Sequence, residues 1–250
     1  VQRFGEGDLS VRVSEQGQDE VADLARQFNA AAARIEALVK THKSLLANAS
    51  HELRSPLTRI RMGLELMGGN QPSPAFREEI LRNIAELDQL VDEILLASRL
   101  DAREADVGTV ELVDLIGLAA EECARVDAEL DVTAVPEGLE VRGVAKLLRR
   151  ALRNLLENAR RYSQGDITVV LQRHDGQAQL SVLDRGPGVP PALRERIFEP
   201  FYRLPGASER AGGVGLGLAL VRSIAQRHNG SVRCEDQPDG SGGACFVLRL

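Results

Sequence analysis

The chain has 250 residues, of which 43% are hydrophobic and 27% charged, with a formal net charge of −6. That length and balance fit one or two globular domains and exclude disorder throughout, and the negative charge argues against a general nucleic-acid binder. Aromatics are 3% with no Trp, so the core is built from Leu, Val, Ile and Ala; Cys123, Cys234 and Cys245 are scattered, give no zinc spacing or disulfide framework, and point to a reducing cytosolic compartment.

The chain opens at Val1 without Met, and no apolar run approaches the ~18 residues of a membrane span, so it reads as a piece of a longer protein. Residues 5–18 are rich in Gly and charge and read as a connector. From Asp19, a candidate N-cap, a long helix begins. Phe28, Ala31, Ile35, Leu38, His42, Leu45 and Ala49 follow a heptad seam. The seam then jumps by four to Leu53 and continues through Leu57, Ile60, Leu64 and Met67. Such a stutter locally unwinds a coiled coil, and it falls beside Pro56, which favours a kink. Residues 68–74, Gly-Gly-Asn-Gln-Pro-Ser-Pro, end the helix. A second helix carries Ile80, Ile84, Leu87, Val91, Ile94 and Ser98 on its seam. The two predict an antiparallel hairpin, and two such hairpins predict a four-helix bundle.

After Asp106 the pattern changes. Val110–Val113 reads as a strand, Asp114–Val126 as a helix and Gly143–Tyr162 as another helix. Residues 167–171 and 180–183 alternate like strands, joined by a hairpin turn at His174-Asp175-Gly176-Gln177. Gly217–His228 reads as a helix, with closing strands at Ser231–Glu235 and Ala244–Leu250. This mixture predicts an α+β layer sandwich beginning near residue 107.

Four segments carry chemistry. In His51-Glu52-Leu53-Arg54-Ser55-Pro56, His51 lies on the flank of the seam and faces solvent. An exposed imidazole is a competent nucleophile when a neighbour such as Glu52 takes its proton, although a lone surface histidine is usually only a solvated one. Asn154 and Asn158 are four apart on one helix face, where amide oxygens can reach Mg²⁺; a polar stripe is the plain alternative. Asp184-Arg185-Gly186-Pro187-Gly188 follows an apolar strand, so a carboxylate at a strand end can accept from an exocyclic amine, or the stretch is an ordinary Gly-Pro turn. Gly213-Val214-Gly215-Leu216-Gly217-Leu218 opens a helix, where backbone amides favour phosphate. It lacks the Gly-Lys-Ser/Thr of a Walker A loop and the βαβ setting of a dinucleotide fold. The preceding residues 203–212 read as a lid.

In order and separation the four segments resemble the boxes of sensor histidine kinases. His51–Leu57 resembles the H box, Asn154–Asn158 the N box, Asp184–Gly188 the first glycine box and Gly213–Gly217 the second. Phe198-Glu199-Pro200-Phe201-Tyr202-Arg203 resembles the F box, and residues 5–18 with Asp19-Glu20 and Phe28-Asn29 are similar to the second half of a HAMP relay. The resemblance covers essentially the whole chain. It implies a HAMP fragment over 1–40, a dimerisation and phosphotransfer hairpin over 41–106 and an ATP-binding domain over 107–250. The implied fold is α plus α+β: a hairpin dimerising to a four-helix bundle, then an α/β sandwich of the GHKL type.

The resemblance also implies roles. His51 would accept the phosphoryl group, with Glu52 as its acid–base partner. Asn158 would hold Mg²⁺ with Asn154 alongside, while Arg161 and Tyr162 approach the nucleotide. Asp184 would read adenine, supported by Gly186 and Gly188. Gly213, Gly215, Leu216, Gly217 and Leu218 would form the phosphate cradle, with Arg203 at the lid. The implied cofactors are ATP and Mg²⁺. The implied partners are a second copy of the chain and the receiver domain of an OmpR-type response regulator, with no direct nucleic acid. The implied setting is the cytoplasmic portion of a bacterial inner-membrane protein.

Two positions depart from the common family wording. Ser55 stands where Thr or Asn is frequent in kinases that also dephosphorylate their regulator; its hydroxyl can still orient a water. Arg161 stands where Lys is frequent, which keeps the charge but changes its geometry. A Glu precedes the metal Asn by one turn in related hydrolysing ATPases; Asn154 holds that place here, which favours transfer to His51 over water activation. The competing readings are another ATPase or serine kinase of the same fold, and a signalling coiled coil that binds nucleotide without catalysis.

Overall fold

A computed structural model gives the fold and describes residues 2–5, 7–16, 20–66, 73–101, 108–135, 137–205, 214–238, 240 and 242–250. The chain divides into two units, residues 1–62 and 63–250. Asp19, Met67, Gly68–Pro72, Asp106 and Gly213, all singled out in the sequence, lie outside the described residues, as do positions 206–212 of the lid.

In the first unit a single turn, α1 (Gln2–Gly5), and an extended stretch precede α2 (Glu20–Leu66). The stretch is fixed to the helix side chain by side chain. Phe4 meets Phe28 edge-on at 5.4 Å. Asn29 accepts from the Val13 amide and donates to the Val13 carbonyl, both at 2.9 Å, and Arg12 pairs with Glu36 at 2.6 Å. Residues 29, 32 and 36 share one helical face, so Ala32 is buried there. Ala31, placed on the seam by the heptad pattern, is exposed with Ile35 and Leu38 on another strip. The helix passes unbroken through the buried Pro56.

In the second unit, Ser73 accepts from the Phe76 amide at 3.2 Å and so caps α3 (Pro74–Asp101), which starts with Pro at its first position. The Phe76 ring lies on Gly63, where a side chain would come within 2.6 Å of it. Along α3, Glu93 is buried and accepts from Gln89 at 3.1 Å and from Arg150 at 2.9 Å.

The remaining elements form an α/β sandwich. A five-stranded sheet runs in the order β2 (Glu129–Asp131), β4 (Thr168–His174), β5 (Gln177–Leu183), β7 (Ala244–Arg249), β6 (Ser231–Asp236), with β2 parallel to β4 and the other pairs antiparallel. A separate pair joins β1 (Glu111–Asp114) to β3 (Glu140–Gly143). Strands β2 and β3 escape the sequence pattern because three or four residues with charged neighbours carry too short an alternation. The β4–β5 turn is the predicted one: Asp175 and Gly176 both take positive φ, 50° and 80°, as a two-residue hairpin loop requires.

Three helices pack with this sheet: α4 (Leu115–Val126), α5 (Ala145–Tyr162) and α6 (Gly217–Arg227). Asp114 caps α4 by accepting from the Ile116 amide at 2.9 Å. The core is aliphatic, as the composition requires: Leu147, Leu152, Leu155 and Leu156 of α5 are buried, with Leu171, Leu180, Val182, Leu220 and Ile224 around them. Buried Glu122 ties α4 to α5 through a two-point ion pair with Arg153, 2.9 Å at each contact, and a further contact to Arg149 at 3.2 Å.

Candidate nucleotide site and phosphoacceptor helix

The candidate nucleotide site is assembled on the C-terminal half of α5. Asn154 and Tyr162 lie four residues to either side of Asn158, so all three share one helical face. The Asn154 amide donates to the Gly217 carbonyl at 3.1 Å, which ties α5 to the start of α6. The Tyr162 carbonyl underlies Gly186, where an added Cβ would come within 2.6 Å of it. One end of this face therefore touches the second glycine box and the other end the first. Asn158 stands between them, half-buried, and its side chain makes no hydrogen bond with the described residues. Arg161 and Tyr162 are exposed on the last turn.

Asp184 follows β5 and is buried. Its Oδ1 accepts from the amides of Gly186 at 2.8 Å and Ala244 at 3.2 Å, which fixes the carboxylate in place. Burial raises its carboxyl above the ordinary aspartate value, outweighing these two hydrogen bonds. The backing comes from residues the sequence pattern did not single out. Gln237, buried, donates to the Asp184 carbonyl. Gly243, at φ 96°, has no room for a side chain because a Cβ would overlap the same carbonyl. Ser163 accepts from the amides of Gly165 and Arg185, each at 3.1 Å, and so joins the end of α5 to the loop after Asp184. The Gly243 and Ala244 contacts arise because β5 pairs with β7, which brings residues some 60 positions apart side by side. Gly188 faces the Gly243 carbonyl.

The second glycine box is held from below by the F box. The Phe201 amide donates to the Gly215 carbonyl at 2.9 Å, with Phe201 at φ 63° and Gly215 at φ 80°. A Cβ on Gly215 would meet the Phe201 backbone at 2.9 Å, so this glycine is required by packing alone. Leu216 is buried, leaving only its backbone for a ligand, while Leu218 and Arg203 are half-buried. Arg222 stacks over the ring of Phe198 at 4.8 Å and donates to Glu195, fixing the F box to α6.

Among the described residues no group of three or more His, Cys, Asp or Glu side chains can hold a metal. An unengaged asparagine amide is still a sufficient protein ligand for Mg²⁺, which takes its other ligands from water and phosphate. Asn158 fits that description at both amide atoms, whereas Asn154 is fixed through its Nδ2 to Gly217 and keeps only its Oδ1 for a ligand.

On α2, His51 is exposed and Glu52 half-buried. Pro56 supplies no N–H to the Glu52 carbonyl one turn earlier. Ser55 is exposed, and its hydroxyl accepts from Arg59 at 3.1 Å. No helix among the described residues is long and apolar enough to cross a membrane.

Comparison with known proteins follows these elements. Residues 143–250 match the family described as histidine kinase-, DNA gyrase B- and HSP90-like ATPase. Residues 41–103 match the His Kinase A (phospho-acceptor) domain, and residues 1–37 the HAMP domain. The sensor protein RstB of Escherichia coli K12 is 36% identical over 98% of this chain and 57% of its own length. The chain spans about half the length of the curated relatives it matches. The histidine kinase AdeS of Acinetobacter baumannii shares the fold, with a TM-score of 0.66 at 23% identity over 80% of this chain and 96% of that one. Full-length ShkA, solved in complex with AMPPNP, gives a TM-score of 0.54 at 25% identity over 83% of this chain and 45% of that one. With HAMP, phosphoacceptor and ATPase domains in succession and a sensor protein as its relative along nearly its whole length, the chain belongs to the sensor histidine kinases.

Proposed function

We propose that this chain is the transmitter portion of a membrane-anchored receptor that uses Mg-ATP to phosphorylate His51 and passes the phosphoryl group to an aspartate of a response regulator of the OmpR type. The observation that carries this reading is the single face of α5 on which Asn154 and Tyr162 engage the two glycine boxes while no described residue engages the Asn158 amide between them. The ATPase family match and the AMPPNP bound by ShkA support ATP as the nucleotide. The domain limits that go with this reading are 1–40, 41–106 and 107–250.

Each group has one task. Asp184 accepts from the adenine amine, its plane fixed by the Gly186 and Ala244 amides. Asn158 holds Mg²⁺, which when bound offsets charge on the phosphate oxygens. Amides of the second glycine box and the start of α6 bind phosphate. Glu52 takes the imidazole proton of His51 at one ring nitrogen and leaves the other to attack. Ser55 orients a water that hydrolyses the aspartyl phosphate of the regulator to carboxylate and inorganic phosphate, competing with its bond from Arg59.

Dimerisation through the hairpin belongs to the same proposal. Ile35, Leu38, Leu57 and Leu64 of α2 and Leu81, Ile84, Val91 and Leu95 of α3 are all exposed in the single chain. Apolar residues recurring along long helices are the face by which a bundle assembles.

The test is incubation of the dimer with γ-labelled ATP and Mg²⁺. An acid-labile, alkali-stable label on the native chain that disappears in His51→Ala is expected. An acid-stable label, or an acid-labile one that survives in His51→Ala, overturns the assignment.

A further inference from the structure

His228, at the C-terminal end of α6, has both ring nitrogens occupied. Nδ1 meets the Ile224 carbonyl at 2.8 Å, and Nε2 meets the backbone amide of Val144 at 3.0 Å. A backbone amide can only donate, so Nε2 is the accepting nitrogen and Nδ1 carries the proton. Val144 is the N-cap of α5, a helix start with no side-chain cap of its own. The ring sits directly on Gly143, where a Cβ would come within 2.8 Å of Cδ2 and 2.9 Å of Nε2. Three residues from two distant parts of the chain are thus fitted to one imidazole.

The geometry matters because of what lies at the other end of the two helices. The start of α5 meets the end of α6 at His228, and the middle of α5 meets the start of α6 where Asn154 donates to Gly217. The helices are therefore antiparallel and cross-linked at two points along their length. Sliding or tilting of α6 against α5 is what these two links oppose. Either movement would carry the second glycine box away from Asn158, since the box is continuous with the first turn of α6.

We propose that His228 is a positioning residue for the nucleotide site: seated on Gly143, its imidazole joins the end of α6 to the start of α5 and thereby sets where the second glycine box lies relative to Asn158. The inference rests on the nucleotide reading given above and adds a residue at the far end of α6 from the ligand. Because the link acts on the phosphate side, it governs triphosphate affinity and leaves recognition at Asp184 alone.

The test compares Mg-AMPPNP with adenosine as probes, by calorimetry and NMR titration on the full chain, at a temperature well below the unfolding transition of every variant. His228→Ala is expected to bind Mg-AMPPNP about five- to ten-fold more weakly, the loss of one net hydrogen bond acting through geometry, with adenosine binding unchanged. His228→Gln, whose amide oxygen can accept from Val144, is expected to recover most of the loss. Gly143→Ala displaces the ring and is expected to give the same selective loss, and the double variant His228→Ala with Gly143→Ala is expected to lose no more than either alone. Where His228→Ala fails to fold, the Gln and Gly143 variants decide the matter. Native affinity for Mg-AMPPNP in folded His228→Ala, or equal losses for adenosine and Mg-AMPPNP, overturns the positioning role while the nucleotide reading stands. Failure of the native chain to bind Mg-AMPPNP overturns the nucleotide reading and this inference with it.

Discussion

The side-chain amide of Asn154 donates to the main-chain carbonyl of Gly217 at 3.1 Å, joining the N box to the second glycine box inside a buried contact. This bond gives the two asparagines of α5 different tasks, although their spacing makes them look alike. Replacing Asn154 by Ala leaves the Gly217 carbonyl without its donor at the first turn of α6. The expected cost is about 1–2 kcal/mol in unfolding free energy of the ATP-binding domain, measured by urea titration, with weaker Mg-AMPPNP binding. Unchanged stability would show that water replaces the amide without cost.

Asn158 is expected to behave otherwise. Its side chain makes no bond with the described residues, so Asn158→Ala should move the urea midpoint little. Mg-ATP binding should fall steeply while metal-free ATP binding changes little. Titration of each variant with ATP, in Mg²⁺ and in EDTA, separates the two, and equal losses in both buffers would remove Asn158 from the metal.

Asp184 connects affinity to pH. Burial raises its carboxyl above the usual range, so the anion proposed to accept from adenine is lost at a higher pH than an exposed aspartate would be. ATP affinity should therefore decline as pH falls towards that raised value. Asp184→Asn should flatten this dependence and reduce the preference for ATP over GTP, because guanine presents a carbonyl where adenine presents an amine. Competition binding at several pH values measures both effects.

Glu122 has the opposite shift. Its hydrogen bonds from Arg153, and with them those from Arg149, hold its carboxyl below the ordinary value of 4.5 against burial, which raises it. A carboxylate lowered in the folded state contributes stability that is present above the unfolded value and lost as pH falls through the folded one. The ATP-binding domain should accordingly lose stability on acidification below about 4.5 through this group. Glu122→Gln should cost about 1–2 kcal/mol at neutral pH, since Arg153 loses its anionic partner while Arg149 keeps Glu121 and both guanidinium groups reach solvent, and should reduce the acid dependence in thermal scans. For Asp184 the sign reverses: its contribution to stability is present at low pH and lost as pH rises through its raised value.

The long helices, the aliphatic core and the local turns are legible in the amino-acid order, because each depends on neighbours within a few residues. The β4–β5 hairpin was legible in Asp175-Gly176, since those residue types suit positive φ. The exposed flank of His51 followed from helical phase alone. Only packing settles which stretch of α2 is covered: Val13 and Arg12 choose Asn29, Ala32 and Glu36 over Ala31, Ile35 and Leu38, whereas Phe4 meets the seam residue Phe28 and the seam residues Leu45 and Ala49 are buried. It also decided the division of labour within the site. Spacing put Asn154 and Asn158 on one face but could not say that one would be spent on Gly217. Gly215 carried the wording of a phosphate loop, yet its lack of a side chain is already required by the Phe201 backbone. Gln237, Gly243 and His228 stayed silent in the sequence for one physical reason. Their partners, Asp184 for the first two and Gly143 and Val144 for His228, lie more than 50 residues away, and only strand pairing and helix packing bring them together.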